Sequence, residues 1–222
     1  LAVHSLKDLP TAMPDGLVLG AILPRAEAGD VLVARAGMNY AGLDDLPNGA
    51  HIGTASLRRA AQILNRRPDC TIAPLRGNVG TRLKKLADEG FDATILAAAG
   101  LARLGVELDE ASLLSAEELL PAAGQGALAV QCRADDTQMR TFLSALHCTA
   151  TSDCVTAESS FLAALDGSCR TPIASPATLD GETLTLRGRL LNDDGSRMEE
   201  GTASGARSAA VTLGQELAAQ LA

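Results

Sequence analysis

With 222 residues the chain is long enough for one large domain or two to three small ones, and 46% hydrophobic content supplies a real core. Aromatic residues make up only 2%, with no tryptophan, which argues against a base-stacking platform for single-stranded nucleic acid. A formal charge of −8 argues against general DNA or RNA binding. The five cysteines, Cys70, Cys132, Cys148, Cys154 and Cys169, form no C-x-x-C pair. With no signal peptide and no apolar run long enough to span a membrane, they fit reduced thiols in a cytoplasmic protein.

The chain opens on Leu1, not Met, and Leu1-Ala2-Val3 reads as the end of a strand already under way. On that reading an N-terminal part is expected to be missing, and the strands of residues 1–23 are expected to lack partners. His4 to Pro10 follows at once, a polar cluster at the C-terminal end of a strand, where open α/β sheets place their ligands. Gly16 to Leu23 and Asp30 to Arg35 read as strands, Leu43 to Pro47 as a single helical turn, and His51 to Thr54 as a further strand with His51 at its edge.

The most informative stretch runs from Leu57 to Lys85. It holds Arg58, Arg59, Arg66, Arg67, Arg76, Arg82, Lys84 and Lys85 against one acid, Asp69. A local excess of seven positive charges in an acidic protein points to an anionic ligand; a solvated basic helix face is the other reading. Ser56 is placed to cap a helix from Leu57 to Asn65, with Arg58 and Arg59 in its first turn, where the helix dipole also favours an anion. The plan then repeats. Thr71 to Leu75 reads as a strand, Arg76 to Gly80 as a glycine-rich turn, and Thr81 as the cap of a helix to about Glu89. Two strand–turn–helix units thus aim backbone N–H groups and arginines at one side of a sheet, which suits carboxylate or phosphate.

Phe91 to Ala97 reads as a strand, Ala98 to Gly105 as a short helix carrying Arg103, and Asp109 to Leu120 as an acidic helix. Pro121 to Gly126 is a glycine-containing hinge and Leu128 to Cys132 a strand. This alternation predicts a mostly parallel sheet with helical crossovers. Asp135 to His147 and Thr151 to Leu165 read as amphipathic helices. Beyond Pro172 the texture changes to antiparallel strands, Ala174 to Leu179, Thr183 to Leu191 and Arg197 to Ala203, with turns at Asp180-Gly181 and Asp193-Asp194-Gly195 and a closing helix from Val211 to Leu221. Cys169 lies in the Gly-Ser-Cys-Arg-Thr-Pro turn that precedes them. Beside Arg170 its pKa can fall, so it could act as a nucleophile or attachment point, or be an ordinary buried thiol. His147, Cys148 and Cys154 have no paired ligand motif, and no metal site is expected.

Six blocks in order, VHSLKDLP, GTASLRR, LRGNVGTRLKKL, ILAAAGLARLG, LPAAGQGALAVQCR and LDGSCRTPI, resemble the porphobilinogen deaminase (hydroxymethylbilane synthase) family over nearly the whole chain. The resemblance implies a transferase of porphyrin and haem biosynthesis. Such an enzyme joins four porphobilinogen units with loss of ammonia and delivers the linear tetrapyrrole hydroxymethylbilane. Growth takes place on a dipyrromethane cofactor held by a thioether, which matches Cys169, and the matching catalytic carboxylate is Asp8. Loss of ammonia leaves an electron-poor azafulvenium that a fixed carboxylate can stabilise, and the same carboxylate can accept a pyrrole N–H.

By the same match, Ser5, Lys7, Asp8, Thr54, Ser56, Arg58 and Arg59 contact the cofactor, and Arg76, Arg82, Arg103 and Gln125 contact substrate; Arg66, Arg67, Lys84 and Lys85 are expected in solvent. The partners implied are porphobilinogen and its oligopyrrole intermediates, with no nucleic acid, no membrane and a monomeric state. The fold implied is α/β: two periplasmic-binding-protein-like domains, the first incomplete, plus a small C-terminal α+β domain with an antiparallel sheet. Residues 1–23 and 125–146 would be the remnant of the first domain, 24–124 the second, and 147–222 the third, with a hinge at crossings near Pro24 and Pro121. Without its N-terminal part the piece alone is expected to be inactive. The rival reading is a non-enzymatic binding module for small anions, which leaves the third domain and the cysteine loop unexplained.

Overall fold

The strand Asp30–Ala34 (β3) is buried at all five positions, and a run apolar on both faces belongs inside a sheet covered on both sides. The computed structural model describes residues 1–165 and 171–222. It joins β3 to His51–Gly53 (β4), Thr71–Ala73 (β5), Ala93–Ala97 (β6) and Ala111–Leu113 (β7) in the order β5-β4-β6-β3-β7. Side chains alternate across it. Leu32, Ala34, Ala93 and Ile95 pack on the side of Ile63, in helix Leu57–Arg66 (α1). Val31, Val33 and Leu96 pack on the side of Leu86, in helix Val79–Asp88 (α2), and Leu101, in helix Ala98–Arg103 (α3).

Three sequence expectations change here. The sheet is mixed: β4 runs parallel to β5 and β6, but β3 is antiparallel to β6 and β7. β3 is entered from a different sheet, without a helical crossover to impose parallel direction. The acidic segment 109–120 is β7 and a turn, not a helix. The Glu118 carboxylate accepts from the backbone N–H groups of Leu43 and Ser115, both at 3.0 Å, while Leu119 and Leu120 are buried. Those tertiary contacts outweigh local helix preference. The cap of α2 is Asn78, whose Oδ1 accepts from the Thr81 N–H at 2.8 Å, three residues ahead of the expected Thr81.

A second sheet has the order β1-β8-β2, formed by Ala2–Ser5 (β1), Leu17–Ile22 (β2) and Leu128–Arg133 (β8), both pairings antiparallel. The strands of residues 1–23 therefore have the partner they were expected to lack: the returning chain runs between them. Helix Thr137–Ser144 (α4) packs on one face through Leu143, and helix Thr149–Ala164 (α5) on the other through Val155.

The C-terminal unit is antiparallel as the sequence implies. Ala177–Asp180 (β10), Thr183–Leu191 (β11) and Met198–Ala206 (β12) pair in order, with Ile173–Ala174 (β9) also on β11. Phe161 of α5 and Leu217 of helix Ala210–Leu221 (α6) fill its core.

The chain crosses between the first two sheets twice, and the crossings touch: Ala26 N–H donates to the Gly126 carbonyl at 3.1 Å. Gly126 has φ 86°, and a Cβ there would stand 2.5 Å from the Ala26 oxygen, so only glycine lets the strands meet. Among the described residues no helix is long and apolar enough to cross a membrane.

Candidate active site

The three sheets meet around a cavity of about 850 Å³. Its wall collects side chains that are far apart in sequence. Lys7 and Asp8 come from a 3-10 turn, Leu6–Asp8, directly after β1. That turn is fixed by buried Leu6, whose N–H donates to the Ala127 carbonyl at 3.0 Å, and it leaves Asp8 exposed to the cavity. Ser56, Arg58 and Arg59 come from the start of α1, Arg76 and Gly77 from the turn before α2, and Arg82 from α2. Gln125 arrives with the returning crossing, and Leu162 of α5, Thr171 and Ile173 close the wall from the C-terminal unit.

Eight of the sequence-predicted residues are thus brought together: Lys7, Asp8, Ser56, Arg58, Arg59, Arg76, Arg82 and Gln125. Three others sit off this wall. Ser5 ends β1 opposite Leu128. Thr54 is buried, its hydroxyl accepting from the Ser56 N–H at 3.2 Å. Arg103 donates through Nη2 to the Gly126 carbonyl at 2.7 Å and so braces the second crossing. Cys169 lies outside the described residues, as does Arg170.

Arg58 and Arg59 are 4% and 5% exposed, and they are not loose arms. Asp30, fully buried, takes Arg58 Nη2 at 2.8 Å on one oxygen, and Arg59 Nη2 at 2.6 Å and Nε at 3.1 Å on the other. Arg58 Nη1 also donates to the Leu120 carbonyl, and Arg59 Nη1 to that of Ile95 at 2.9 Å. Gln125 Nε2 reaches Asp30 Oδ1 at 3.0 Å, and its Oε1 accepts from Lys7 Nζ at 3.3 Å. Burial pushes the Asp30 carboxyl up, but the two guanidiniums together outweigh it and bring it down to about 2. Burial and the nearby Arg59 lower the Lys7 ammonium to about 8, against the raising pull of Asp30 and Asp8. Burial, then Arg59 and Arg76, push Arg82 down from its ordinary value.

Arg67, expected in solvent, is a clamp. It donates to the carbonyls of Leu43, Leu46 and Pro47 at 2.8, 3.0 and 3.1 Å and pairs with Asp69. Arg66 pairs with Asp44 and Lys85 with Glu89 on the surface. His51 stacks on Phe91 with ring centroids 4.6 Å apart.

Sequence reasoning passed over Asp30, Arg25 and Glu158. Glu158 lies wholly buried on α5 and ties the C-terminal unit to both crossings. It accepts from Arg25 Nη1 and Nη2, from Gly124 N–H and from Ala177 N–H. The available signal was an acid in register with the apolar face of Cys154 and Phe161, and an acid opening the buried run of β3. Among the described residues no group of three or more His, Cys, Asp or Glu could hold a metal.

A cavity between α/β units, walled by cations around the exposed carboxylate of Asp8, is suited to a polyanionic small molecule. Sequence comparison narrows the class. The family model "Porphobilinogen deaminase, dipyromethane cofactor binding domain" matches residues 1–141, and "Porphobilinogen deaminase, C-terminal domain" matches 152–222. The chain belongs to the porphobilinogen deaminase family.

Relatives named porphobilinogen deaminase include that of Nitrobacter winogradskyi, 47% identical over 99% of this chain and 69% of that protein. Those of Listeria innocua and Brevibacillus brevis are 48% and 49% identical, over 99% and 92% of this chain and 71% and 65% of theirs. Among solved structures, a Salmonella typhimurium periplasmic binding protein with high arginine specificity is 13% identical at a TM-score of 0.36, covering 57% of this chain and 56% of its own. That is too slight to carry an argument.

Proposed function

We propose that the chain is a hydroxymethylbilane synthase, condensing porphobilinogen units with release of ammonia, and that Asp8 is its catalytic carboxylate. The observation that carries this reading is the cavity itself, which sets one exposed carboxylate among Lys7, Arg58, Arg59, Arg76 and Arg82. Each pyrrole unit bears an acetate and a propionate, so the ligand is a polycarboxylate that matches a cationic wall. A volume of about 850 Å³ and its basic lining fit a dipyrromethane as well. When bound, that group supplies the pyrrole end on which the chain grows. Cys169 would hold it by a thioether, with Lys7, Ser56, Arg58 and Arg59 at its carboxylates and Ser5 and Thr54 in support.

The chain's own residues then divide the work. Arg76 and Arg82 bind substrate carboxylates, and Arg103 and Gln125 brace the crossings behind them. Arg76 and Arg82 orient the aminomethyl carbon toward Asp8. As ammonia leaves, positive charge develops on the substrate and the Asp8 carboxylate stabilises it, in a site where surrounding cations would otherwise oppose it. The same carboxylate can accept a hydrogen bond from the pyrrole N–H, and it is placed to take up the α-carbon proton that C–C bond formation releases.

The division into 1–23 with 125–146, 24–124 and 147–222 is supported by the separate sheet in each. A cytoplasmic enzyme without a nucleic-acid partner fits the free thiols of Cys70, Cys132, Cys148 and Cys154 and the acidic charge, and a monomeric state is what the family resemblance implies. The test pairs peptide mass spectrometry with turnover. The Cys169 peptide is expected to carry a dipyrromethane-sized addition that Cys169→Ser lacks, and Asp8→Asn to lower kcat by at least about a hundredfold with little change in KM. An unmodified Cys169 in protein that still binds carboxylates moves the reading to a non-enzymatic binding module.

A further inference from the structure

We propose that Asp30 is a positioning residue for carboxylate binding: it fixes one edge of Arg58 and of Arg59 and, through Gln125, the ammonium of Lys7, so that all three cations present their remaining donors to the cavity in one arrangement. The inference rests on reading this cavity as the polycarboxylate site.

Asp30 does not line the cavity, so it acts only through its neighbours. It is fully buried at the first residue of β3, immediately after the first crossing. One of its oxygens takes Arg58; the other takes both Arg59 donors and the Gln125 amide. Gln125 belongs to the second crossing, and its own oxygen takes Lys7. A single carboxylate therefore joins α1, both crossings and the turn that carries Asp8.

The physical consequence is threefold. An arginine has five N–H donors in a rigid fork, so holding one edge against Asp30 aims the opposite edge. Two buried guanidiniums with no anion between them would repel and swing toward solvent; with Asp30 they remain side by side. Side chains already fixed lose less freedom when a ligand arrives, which raises affinity without adding a contact. Gln125 extends the same control to Lys7, whose charged neighbours are Arg59, Asp30, Asp8 and Arg58.

The test uses the whole protein with Asp30→Asn, which removes the charge at constant shape, and Asp30→Glu, which keeps the charge and moves it by one methylene. The probe is pyromellitate, an aromatic tetracarboxylate, titrated by calorimetry beside thermal melting and the KM and kcat for porphobilinogen. In folded Asp30→Glu, the probe Kd and KM are expected to rise by at least about tenfold, with kcat falling less. Folded Asp30→Asn should show the same pattern; if it does not fold, Asp30→Glu decides alone. A role confined to stability would lower the melting temperature and leave the Kd of the folded protein alone, so a folded variant within about twofold of the parent Kd overturns the proposal. A parent protein that does not bind the probe, with KM unmoved by Arg76→Ala, overturns instead the underlying reading of the cavity.

Discussion

Glu158→Gln is expected to loosen the junction of the C-terminal unit with the two crossings. The carboxylate accepts four donors, two per oxygen: Arg25 Nη1 at 2.5 Å and Ala177 N at 2.7 Å on one, Arg25 Nη2 at 3.2 Å and Gly124 N at 2.7 Å on the other. Burial pushes this carboxyl up, while Arg25 and the hydrogen bonds pull it back; four donors on an acceptor-only group require the ionised form. A glutamine offers one oxygen. Whichever way the amide turns, its NH₂ faces two donors and leaves them unsatisfied, at about 1–3 kcal/mol each. Arg25, only 14% exposed at its side chain, also loses its counter-ion, and breaking a buried pair by removing one partner costs about 3–5 kcal/mol in all. For a chain of this size that is a fall of about 6–20 °C in melting temperature. Thermal melting, repeated in a cycle with Arg25→Met, measures it. The double variant is expected to be less destabilised than the sum of the singles, because the unpaired partner is gone. A fall of under about 3 °C in Glu158→Gln, or strict additivity in the cycle, would refute the account.

Two further outcomes follow from the geometry. Lys7 titrates at about 8 against its ordinary 10.5, so its charge fades as pH rises through 8. Pyromellitate affinity should weaken from about pH 7 to 9 in the parent and stay level in Lys7→Arg. Stability should move the other way, because between the folded value and 10.5 the unfolded chain binds more protons and stability rises with pH; a flat affinity profile in the parent would remove Lys7 from the site. Gly195, at φ 71°, brings the β11–β12 turn against α1, where an added Cβ would lie 2.7 Å from Asn65 N and closer still to the Ala61 carbonyl. Gly195→Ala is therefore expected to lose about 1–3 kcal/mol in denaturant melts, and a neutral result would mean that the C-terminal unit is not seated on α1.

Most strands and helices were legible because their signals are local. The N-cap of α1 at Ser56 and the hairpins of the C-terminal sheet each follow from a few adjacent residues. The errors share a different cause. Segment 109–120 has helical composition, but Glu118 is drawn to the Leu43 N–H, 75 residues away. The direction of β3 depends on the route by which the chain enters the five-stranded sheet. Cavity residues were found through motif blocks, whereas Asp30 and Glu158 were not, since a single buried acid leaves no pattern until its partners, 28 and 133 residues distant, are in place.

The basic stretch shows why charge counted along a sequence overstates charge in space. Of its eight cations, Arg58, Arg59, Arg66, Arg67 and Lys85 meet carboxylates in the fold, and the acids that meet them are Asp30, Asp44, Asp69 and Glu89. What remains at the cavity is Arg76, Arg82 and Lys7, together with the outward edges of Arg58 and Arg59. Burial lowers the pKa of Lys7, as does its repulsion from Arg59; burial again lowers that of Arg82, and so do Arg59 and Arg76. A polycarboxylate entering the cavity relieves that repulsion, so the crowding that disfavours each cation alone favours the ligand collectively. With a screening length of about 8 Å, the negative charge of the whole protein does little against this at the cavity wall. The strength of the site is then set less by the number of arginines than by how many Asp30 neutralises and how firmly it holds them.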